Sequence, residues 1–286
     1  MKIKIERRDA PTAELFVKIM GEQEEDAAKN RPTAFILPGG PGADHSVYLT
    51  YACLKTVADL VFHDPRGCGQ SDKNELSDCS MNNYIEDVEA IREHLGLKKI
   101  TVIGKSYGSM CALGYALRYP DRVEKLVLAA GAPSYHFLET AKENLKRFGS
   151  KEQVKIAEKL WTGSFASREE LLEYFRLTQP LYSVKARSHS NKTDLNKKSN
   201  QFSYEVLNEG FRQRFWHFDY ENVLIQLQCP TLVLAGKEDW VNDVSHAIFM
   251  AERIPHSRLH IFEQASHAME ADKGEEFFQV IADFIG

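Results

Sequence analysis

The stretch 100–110 constrains the fold of this chain more than any other, because an apolar run leads there into a tight turn. Ile100-Thr-Val-Ile is apolar and β-branched, which predicts a buried strand. The turn Gly104-Lys-Ser-Tyr-Gly108 then opens a helix-like segment that stops near Pro120. Glycine two residues before and two residues after a serine, at a strand-to-helix junction, is the pattern of a nucleophile elbow. The five-residue pattern also arises by chance in Gly/Ser turns, so its weight depends on the rest of the chain.

Predicted strands alternate with helical patterns on both sides of this turn. Alternation at this spacing predicts an α/β fold with a mostly parallel sheet that helices cover on both faces. Ligands bind such sheets beyond the carboxyl ends of the strands. Ser106 and the loops 38–42, 64–72 and 131–135 all follow strands, so we expect them to cluster at one edge. Besides the strand that opens the turn, strands are predicted at 2–6, 14–20, 33–37, 60–63, 123–130, 230–235 and 257–262, and helices of the sheet domain at 46–58, 81–95 and 274–285.

A different pattern occupies residues 134–226, where helical periodicity replaces the strand–helix alternation. We interpret this segment as a helical cap inserted into a sheet domain that comprises residues 1–133 and 227–286. Within the cap, residues 184–201 are polar and basic, which favours a solvated loop over a binding patch. The predicted cap helices span 137–148, 151–160, 168–177 and 204–216.

A serine hydroxyl becomes a strong nucleophile only when a base removes its proton, and that base is usually a histidine held by a carboxylate. In chains with this elbow the order is serine, then acid, then histidine. Asp239 follows a predicted strand in Gly-Lys-Glu-Asp-Trp, and His267 follows the last strand in Ala-Ser-His-Ala-Met. Glu238 is a rival for the acid. The sequence therefore predicts Ser106, Asp239 and His267 as nucleophile, orienting acid and base.

Acyl transfer also requires hydrogen-bond donors aimed at the oxyanion that develops during attack. One donor is expected to be the backbone N–H of Tyr107, which directly follows the candidate nucleophile. The other is expected from Gly39 and Gly40, because glycine lets the main chain approach a substrate closely. A plain turn is the competing interpretation of these two glycines.

The composition excludes several other classes of function. The 286 residues carry a net charge of −5, which argues against general nucleic-acid binding. The first ten residues contain no apolar core of a signal peptide, and no run approaches the roughly 20 apolar residues of a membrane span. Five cysteines without a CxxC pair are typical of reduced thiols. We therefore expect a cytoplasmic protein with a small peptide or small-molecule substrate and no membrane partner; the oligomeric state is not indicated.

No pattern in the sequence points to a cofactor. There is no HExxH and no pair of Cys or His at metal-ligand spacing, so no metal site is expected. No GxGxxG follows a predicted strand and no phosphate-binding Walker loop is present. The predicted chemistry thus depends on the chain's own side chains.

Three stretches resemble one known family. Leu37-Pro-Gly-Gly-Pro-Gly42 is similar to His-Gly-Gly-Pro-Gly, and Asp64-Pro-Arg-Gly-Cys-Gly-Gln-Ser71 to Asp-Gln-Arg-Gly-x-Gly-x-Ser. Gly104-Lys-Ser-Tyr-Gly-Ser109 is similar to the elbow of the same family. The chain thus resembles the α/β-hydrolases with a helical cap, and among them the prolyl iminopeptidases and related tricorn-associated aminopeptidases. The resemblance implies a Ser106, Asp239 and His267 triad and an oxyanion hole formed by the N–H groups of Gly40 and Tyr107.

The substrate side of the resemblance is less complete. Pro38 stands where the family has a histidine, which affects how the glycine loop packs and fits a substrate. The family binds the α-amine of its substrate with acids of the cap; Glu209 matches one of these positions, and Glu205 lies one helical turn away. A second acid sometimes follows the triad aspartate, but here that residue is Trp240, which either walls an apolar pocket or simply packs.

The sequence leaves three hypotheses for function. The first is a serine hydrolase that removes N-terminal residues, possibly proline, from short peptides. The second keeps the triad in an esterase, lactonase or small-amide hydrolase that needs no free α-amine. The third is a ligand-binding protein without catalysis on the same fold, against which the complete set of triad residues argues.

Overall fold

The computed structural model describes residues 1–7, 11–21, 31–73, 75–188, 202–214 and 217–286, and it contains one eight-stranded sheet. The strands lie side by side in the order β1-β2-β4-β3-β5-β6-β7-β8. β1, β2 and β4 pair antiparallel, whereas every pairing from β4 to β8 is parallel. The strands are β1 Lys2–Ile5, β2 Ala13–Met20, β3 Thr33–Leu37, β4 Asp59–His63, β5 Ile100–Lys105, β6 Val123–Ala129, β7 Thr231–Gly236 and β8 Ser257–Phe262.

The burial of each strand reflects its place in the sheet. All six residues of β5 and of β7 are buried, as expected for central strands of a parallel sheet that is covered on both faces. In the edge strand β1, buried and exposed residues alternate, because only one face meets the core. The predicted α/β class with a mostly parallel sheet is therefore confirmed.

The described residues contain ten α-helices. They are α1 Met81–His94, α2 Tyr107–Arg118, α3 Phe137–Phe148, α4 Lys151–Trp161, α5 Arg168–Tyr182, α6 Val184–Ser188, α7 Tyr204–Glu209, α8 Val244–Arg253, α9 Met269–Lys273 and α10 Glu275–Ile285.

Two hydrophobic cores lie on opposite faces of the sheet. Successive residues of β3 enter different cores, since side chains of a strand alternate between faces. Phe35 packs in the core that contains Ile85 of α1, whereas Ile36 packs in the core that contains Tyr51 and Phe277. Helices thus cover both faces, which leaves the carboxyl ends of the parallel strands as the edge where loops can form a site.

The helices α3 to α7 are inserted between β6 and β7. The two ends of the insertion are bound to each other: Tyr135 N donates to Phe218 O at 3.0 Å and Tyr220 N donates to Pro133 O at 2.9 Å. A segment whose ends meet in this way can be added to a sheet domain without disturbing the strands on either side. The division into a core and a cap at 134–226 stays a prediction.

Three predicted helices differ from the structure in length or type. The helix predicted at 46–58 is a 3₁₀-helix, His45–Thr56. The helix predicted at 168–177 continues to Tyr182 and contains Pro180 in its last turn. The helix predicted at 204–216 ends at Glu209 and continues as a π-helix, Gly210–Arg214, and positions 215 and 216 lie outside the described residues. Most of the basic stretch 184–201 also lies outside them.

Among the helices of the described residues, none combines the length and the apolar composition that crossing a membrane requires.

One buried histidine gives the fold a pH dependence that can be tested. The ring of His63, at the end of β4, packs against the Tyr84 ring at 5.3 Å, and neither ring nitrogen has a hydrogen-bond partner among the described residues. Burial lowers the pKa of His63 to about 4. The folded-state pKa of His63 therefore lies below the ordinary value of 6.5. The contribution of the neutral ring to the free energy of unfolding is fully present above pH 6.5 and is lost as the pH falls towards 4.

We expect His63→Phe to weaken this dependence on pH. Between pH 7 and pH 4.5 the wild type should lose about 2–3 kcal/mol more free energy of unfolding than the variant. The reason is that His63 takes up a proton on unfolding in acid, whereas a phenylalanine at this position does not titrate. Urea unfolding followed by circular dichroism at both pH values measures the difference. Equal losses in the two proteins would contradict the prediction.

Candidate active site

Ser106 lies between β5 and α2 in a strained backbone conformation. Its φ of 57° and ψ of −123° fall where residues other than glycine rarely lie, at about 1–3 kcal/mol of strain. Glycine is required at positions 104 and 108 because neighbouring backbone atoms leave no room there for a side chain. A Cβ on Gly104 would lie 2.3 Å from Gly108 O, and a Cβ on Gly108 would lie 2.1 Å from Leu37 O. The turn therefore holds Ser106 clear of the sheet, as the elbow pattern predicts.

A chain of hydrogen bonds joins the three predicted triad residues. His267 Nε2 lies 3.0 Å from Ser106 Oγ, and His267 Nδ1 lies 2.8 Å from Asp239 Oδ2. Asp239 follows β7 and His267 follows β8, so neighbouring parallel strands deliver both side chains to the edge where β5 ends. With a proton on Nδ1, the imidazole donates to Asp239 and accepts from the serine hydroxyl, which is the tautomer a general base requires.

The carboxylate of Asp239 is held by the main chain that follows it. Its Oδ1 accepts hydrogen bonds from Val241 N at 2.8 Å and from Asn242 N at 3.0 Å. Asn242 is itself anchored, since its Nδ2 donates to Ala130 O at 2.6 Å. Asp239 is 3% exposed, so its carboxylate faces His267 with little competition from water. The rival Glu238 points away, and its Oε2 pairs with the Arg187 guanidinium at the surface.

The loop that carries His267 is braced from the elbow. Lys105, the residue before the serine, is 4% exposed, and its ammonium donates to His267 O at 2.5 Å. Glu270 Oε2 lies 3.7 Å from the same ammonium. Neither Lys105 nor Glu270 was predicted from the sequence. Their signals are a lysine inside an otherwise apolar strand–turn and an acid one helical turn after the histidine.

The same loop is braced from the inserted helices. Asp272 Oδ2 accepts hydrogen bonds from Ser266 N at 2.8 Å and from Val184 N at 3.0 Å. Its Oδ1 accepts from Ser183 Oγ at 2.5 Å and from Lys185 N at 3.0 Å. One buried carboxylate therefore links the residue before His267 to the end of α5 and the start of α6.

Ser106 opens into a largely apolar cavity of about 250 Å³. Gly40 and Tyr107, the residues of the predicted oxyanion hole, lie on its wall with Ser106 and His267. Gly39 does not line the cavity: it is buried and its N–H donates to the Tyr48 hydroxyl at 2.9 Å, which leaves Gly40 as the glycine of the pair on the wall. The remaining wall is mainly aromatic and aliphatic, and includes Met110, Phe137, Leu160, Trp161, Tyr174, Phe175, Tyr182, Phe202, Leu207 and Phe211.

The structure does not bring Glu205, Glu209 and Trp240 to this wall. The short helix α7 turns Leu207 towards the cavity, so the two acids lie on its other sides. Glu205 is exposed and accepts from Ser203 Oγ at 3.0 Å. Trp240 is buried behind the wall, where it packs edge-on against the rings of Trp161 at 6.2 Å and Tyr182 at 5.4 Å. Of the two roles predicted for Trp240, the geometry matches packing.

Asp44, His45 and Asp64 are the one group of side chains in the described residues whose ligand atoms are close enough to share a metal ion. Protein donors already bind both oxygens of Asp64 and one oxygen of Asp44. Asp64 accepts from His45 Nδ1 at 2.6 Å, and Asp44 accepts from Ser46 N at 2.7 Å. Asp64 Oδ2 also accepts from Gln70 N at 2.8 Å. This arrangement fits a brace between the glycine loop and the loop 64–72.

Comparison with known proteins agrees with this fold. A family model described as the alpha/beta hydrolase fold matches residues 32–272. A proline iminopeptidase of Saccharolobus solfataricus is 30% identical over 261 residues, which cover 87% of this chain and 83% of that protein. Two solved structures, a proline iminopeptidase of Mycobacterium smegmatis and an esterase of Exiguobacterium antarcticum, each superpose with a TM-score of 0.76 and 20% identity. Both matches cover 100% of this chain, and 97% and 99% of those chains respectively. The chain therefore belongs to the α/β-hydrolase fold family.

Proposed function

We propose that this protein is a serine hydrolase that removes N-terminal residues, proline among them, from short peptides. The observation that carries the proposal is the connected series of hydrogen bonds from Asp239 through His267 to Ser106. A protein that only binds a ligand has no need of this arrangement, so the geometry favours catalysis. The similarity to the Saccharolobus proline iminopeptidase supports the choice of an aminopeptidase substrate.

In the proposed reaction, Ser106 Oγ attacks the carbonyl carbon of the N-terminal residue while His267 Nε2 takes the hydroxyl proton. Asp239 stabilises the imidazolium that forms and keeps the ring oriented. The tetrahedral intermediate collapses when His267 gives its proton to the leaving amine, which produces an acyl-enzyme. Water then attacks this ester, His267 again serves as base, and the free amino acid leaves.

The N–H groups of Gly40 and Tyr107 are proposed to hold the oxyanion. Both residues share the cavity wall with Ser106, and Tyr107 begins α2, where the helix dipole favours negative charge. In comparable enzymes a single donor lowers the barrier by about 2.7–4 kcal/mol. Because the donors belong to the main chain, they need little reorganisation when the charge develops.

The cavity fits a small apolar residue better than a long peptide. Its volume of about 250 Å³ lies just below the range of about 300–1,000 Å³ that is usual for small-molecule sites, and its wall is mainly aromatic and aliphatic. Such a space suits the pyrrolidine ring of proline or a comparable apolar side chain. The inserted helices, which contribute Phe137, Trp161 and Tyr174, would exclude longer chains.

An esterase, lactonase or small-amide hydrolase is the second candidate. The observation that favours it is the absence of Glu205 and Glu209 from the cavity wall in the described part of the chain. If no other acid holds an α-ammonium, the same triad acts on neutral acyl groups. The fold alone is compatible with this, as the esterase of Exiguobacterium antarcticum illustrates.

Prolyl and alanyl arylamides, tested with free and with N-acetylated amines, separate the two candidates. The aminopeptidase proposal predicts hydrolysis of the free arylamides, with kcat/KM at least about tenfold above that of the acetylated forms, because acetylation removes a charge that the site binds. Release of the chromogenic arylamine measures both rates. Equal rates, or turnover of short-chain esters alone, would favour the second candidate.

Replacement of each candidate acid tests the catalytic geometry. Asp239→Asn should lower kcat by a factor on the order of 10⁴, because an amide stabilises the wrong imidazole tautomer. Glu238→Gln is the matched control, since this exposed neighbour pairs with Arg187 and should change kcat less than about threefold. Steady-state kinetics on the best arylamide or ester give both values. Similar losses in the two variants would show that the acid is wrongly assigned.

A further inference from the structure

We infer that Glu270 holds the positively charged amine of the substrate. Glu270 lies in the short helix α9, three residues after His267, and it lines the same cavity as Ser106. It is the one carboxylate on that wall among the described residues. The inference rests on the proposed aminopeptidase function. It assigns amine binding to an acid that follows β8, whereas the sequence predicted the cap acids Glu205 and Glu209.

One oxygen of this carboxylate has unfilled hydrogen-bonding capacity. An ionised carboxylate can accept about four hydrogen bonds, yet Oε2 of Glu270 has no hydrogen-bond partner among the described residues. Oε2 is buried without a donor, although the side chain as a whole is 25% exposed. Buried polar atoms in folded proteins almost always have partners, so an unsatisfied oxygen at a cavity wall points to a donor supplied by the ligand.

Lys105 does not supply that donor. Its ammonium lies 3.7 Å from Oε2, beyond hydrogen-bond distance, and it donates instead to His267 O at 2.5 Å. Lys105 therefore offsets the charge of Glu270 without occupying its lone pairs. An incoming ammonium can bind Glu270 while Lys105 continues to brace the histidine loop.

The position of Glu270 suits the α-amine of an N-terminal residue. In such a substrate the amine is attached to the carbon next to the carbonyl that Ser106 attacks, so its acceptor must lie close to the nucleophile. Lys105 precedes Ser106 directly and contacts both the His267 loop and Glu270, which brings the acid to this part of the cavity. The ammonium of an N-terminal proline has two N–H donors, and the aromatic walls would strengthen its attraction to a carboxylate by excluding water.

Binding of L-prolinamide and N-acetyl-L-prolinamide to the inactive Ser106→Ala protein tests this inference without requiring turnover. Dissociation constants from titrations followed by NMR are compared with those of Ser106→Ala/Glu270→Gln. We expect the Kd of L-prolinamide to rise about 10- to 100-fold, as for the loss of a charge-assisted hydrogen bond, while the Kd of the acetylated ligand changes much less. Ser106→Ala/Glu275→Gln is the matched control, since Glu275 is an exposed acid of the next helix and its loss should leave the ratio unchanged.

The outcomes separate this inference from the proposed function. Equal changes for the two ligands, no change in Glu270→Gln, or no preference for L-prolinamide in Ser106→Ala would overturn the role of Glu270. So would a loss of that preference in Glu209→Gln but not in Glu270→Gln. If the wild type hydrolyses esters but no arylamides, the proposed function fails, and the titration still decides whether Glu270 binds amines. Glu270→Asp, which keeps the charge, should give an intermediate Kd and serves if Glu270→Gln does not fold.

Discussion

The close approach of β3, β5 and α2 at the elbow is the constraint on which the rest of the site depends. Gly104 and Gly108 leave no room for a Cβ, since each would lie within 2.3 Å of a backbone oxygen. This contact forces Ser106 into its positive φ and holds its hydroxyl above the sheet. The strain persists because the surrounding strands are buried on both faces and offer the backbone no alternative path.

Parallel strand order then assembles the site from distant parts of the chain. β5, β6, β7 and β8 are successive neighbours, so the residues that follow β5, β7 and β8 meet at one edge although they lie up to 161 positions apart. Two further residues hold the His267 loop: Lys105 connects it to the elbow, and Asp272 connects it to the inserted helices. The position of the base therefore depends on the inserted helices as well as on the strands.

Much of the core could be predicted from the sequence, because its signals are local or follow chain order. The elbow and the parallel sheet depend on glycine spacing and apolar runs, and the order of Ser106, Asp239 and His267 selected the residues that the structure brings together. The substrate side could not be predicted in this way. Which face of α7 meets the cavity depends on how that helix packs, and the structure turns Leu207 inward, away from Glu205 and Glu209. Glu270 could not be predicted because no sequence motif marks it; only the folded structure places it on the cavity wall.

The central claim is that Ser106 is the activated nucleophile, and covalent labelling tests it most directly. The protein is treated with a fluorophosphonate, its intact mass is measured, and the modified peptide is mapped by tandem mass spectrometry. The account predicts a single adduct per chain, located on Ser106 and absent from Ser106→Ala protein that retains the wild-type circular dichroism spectrum. An unmodified wild type, or an adduct on another serine, would contradict it.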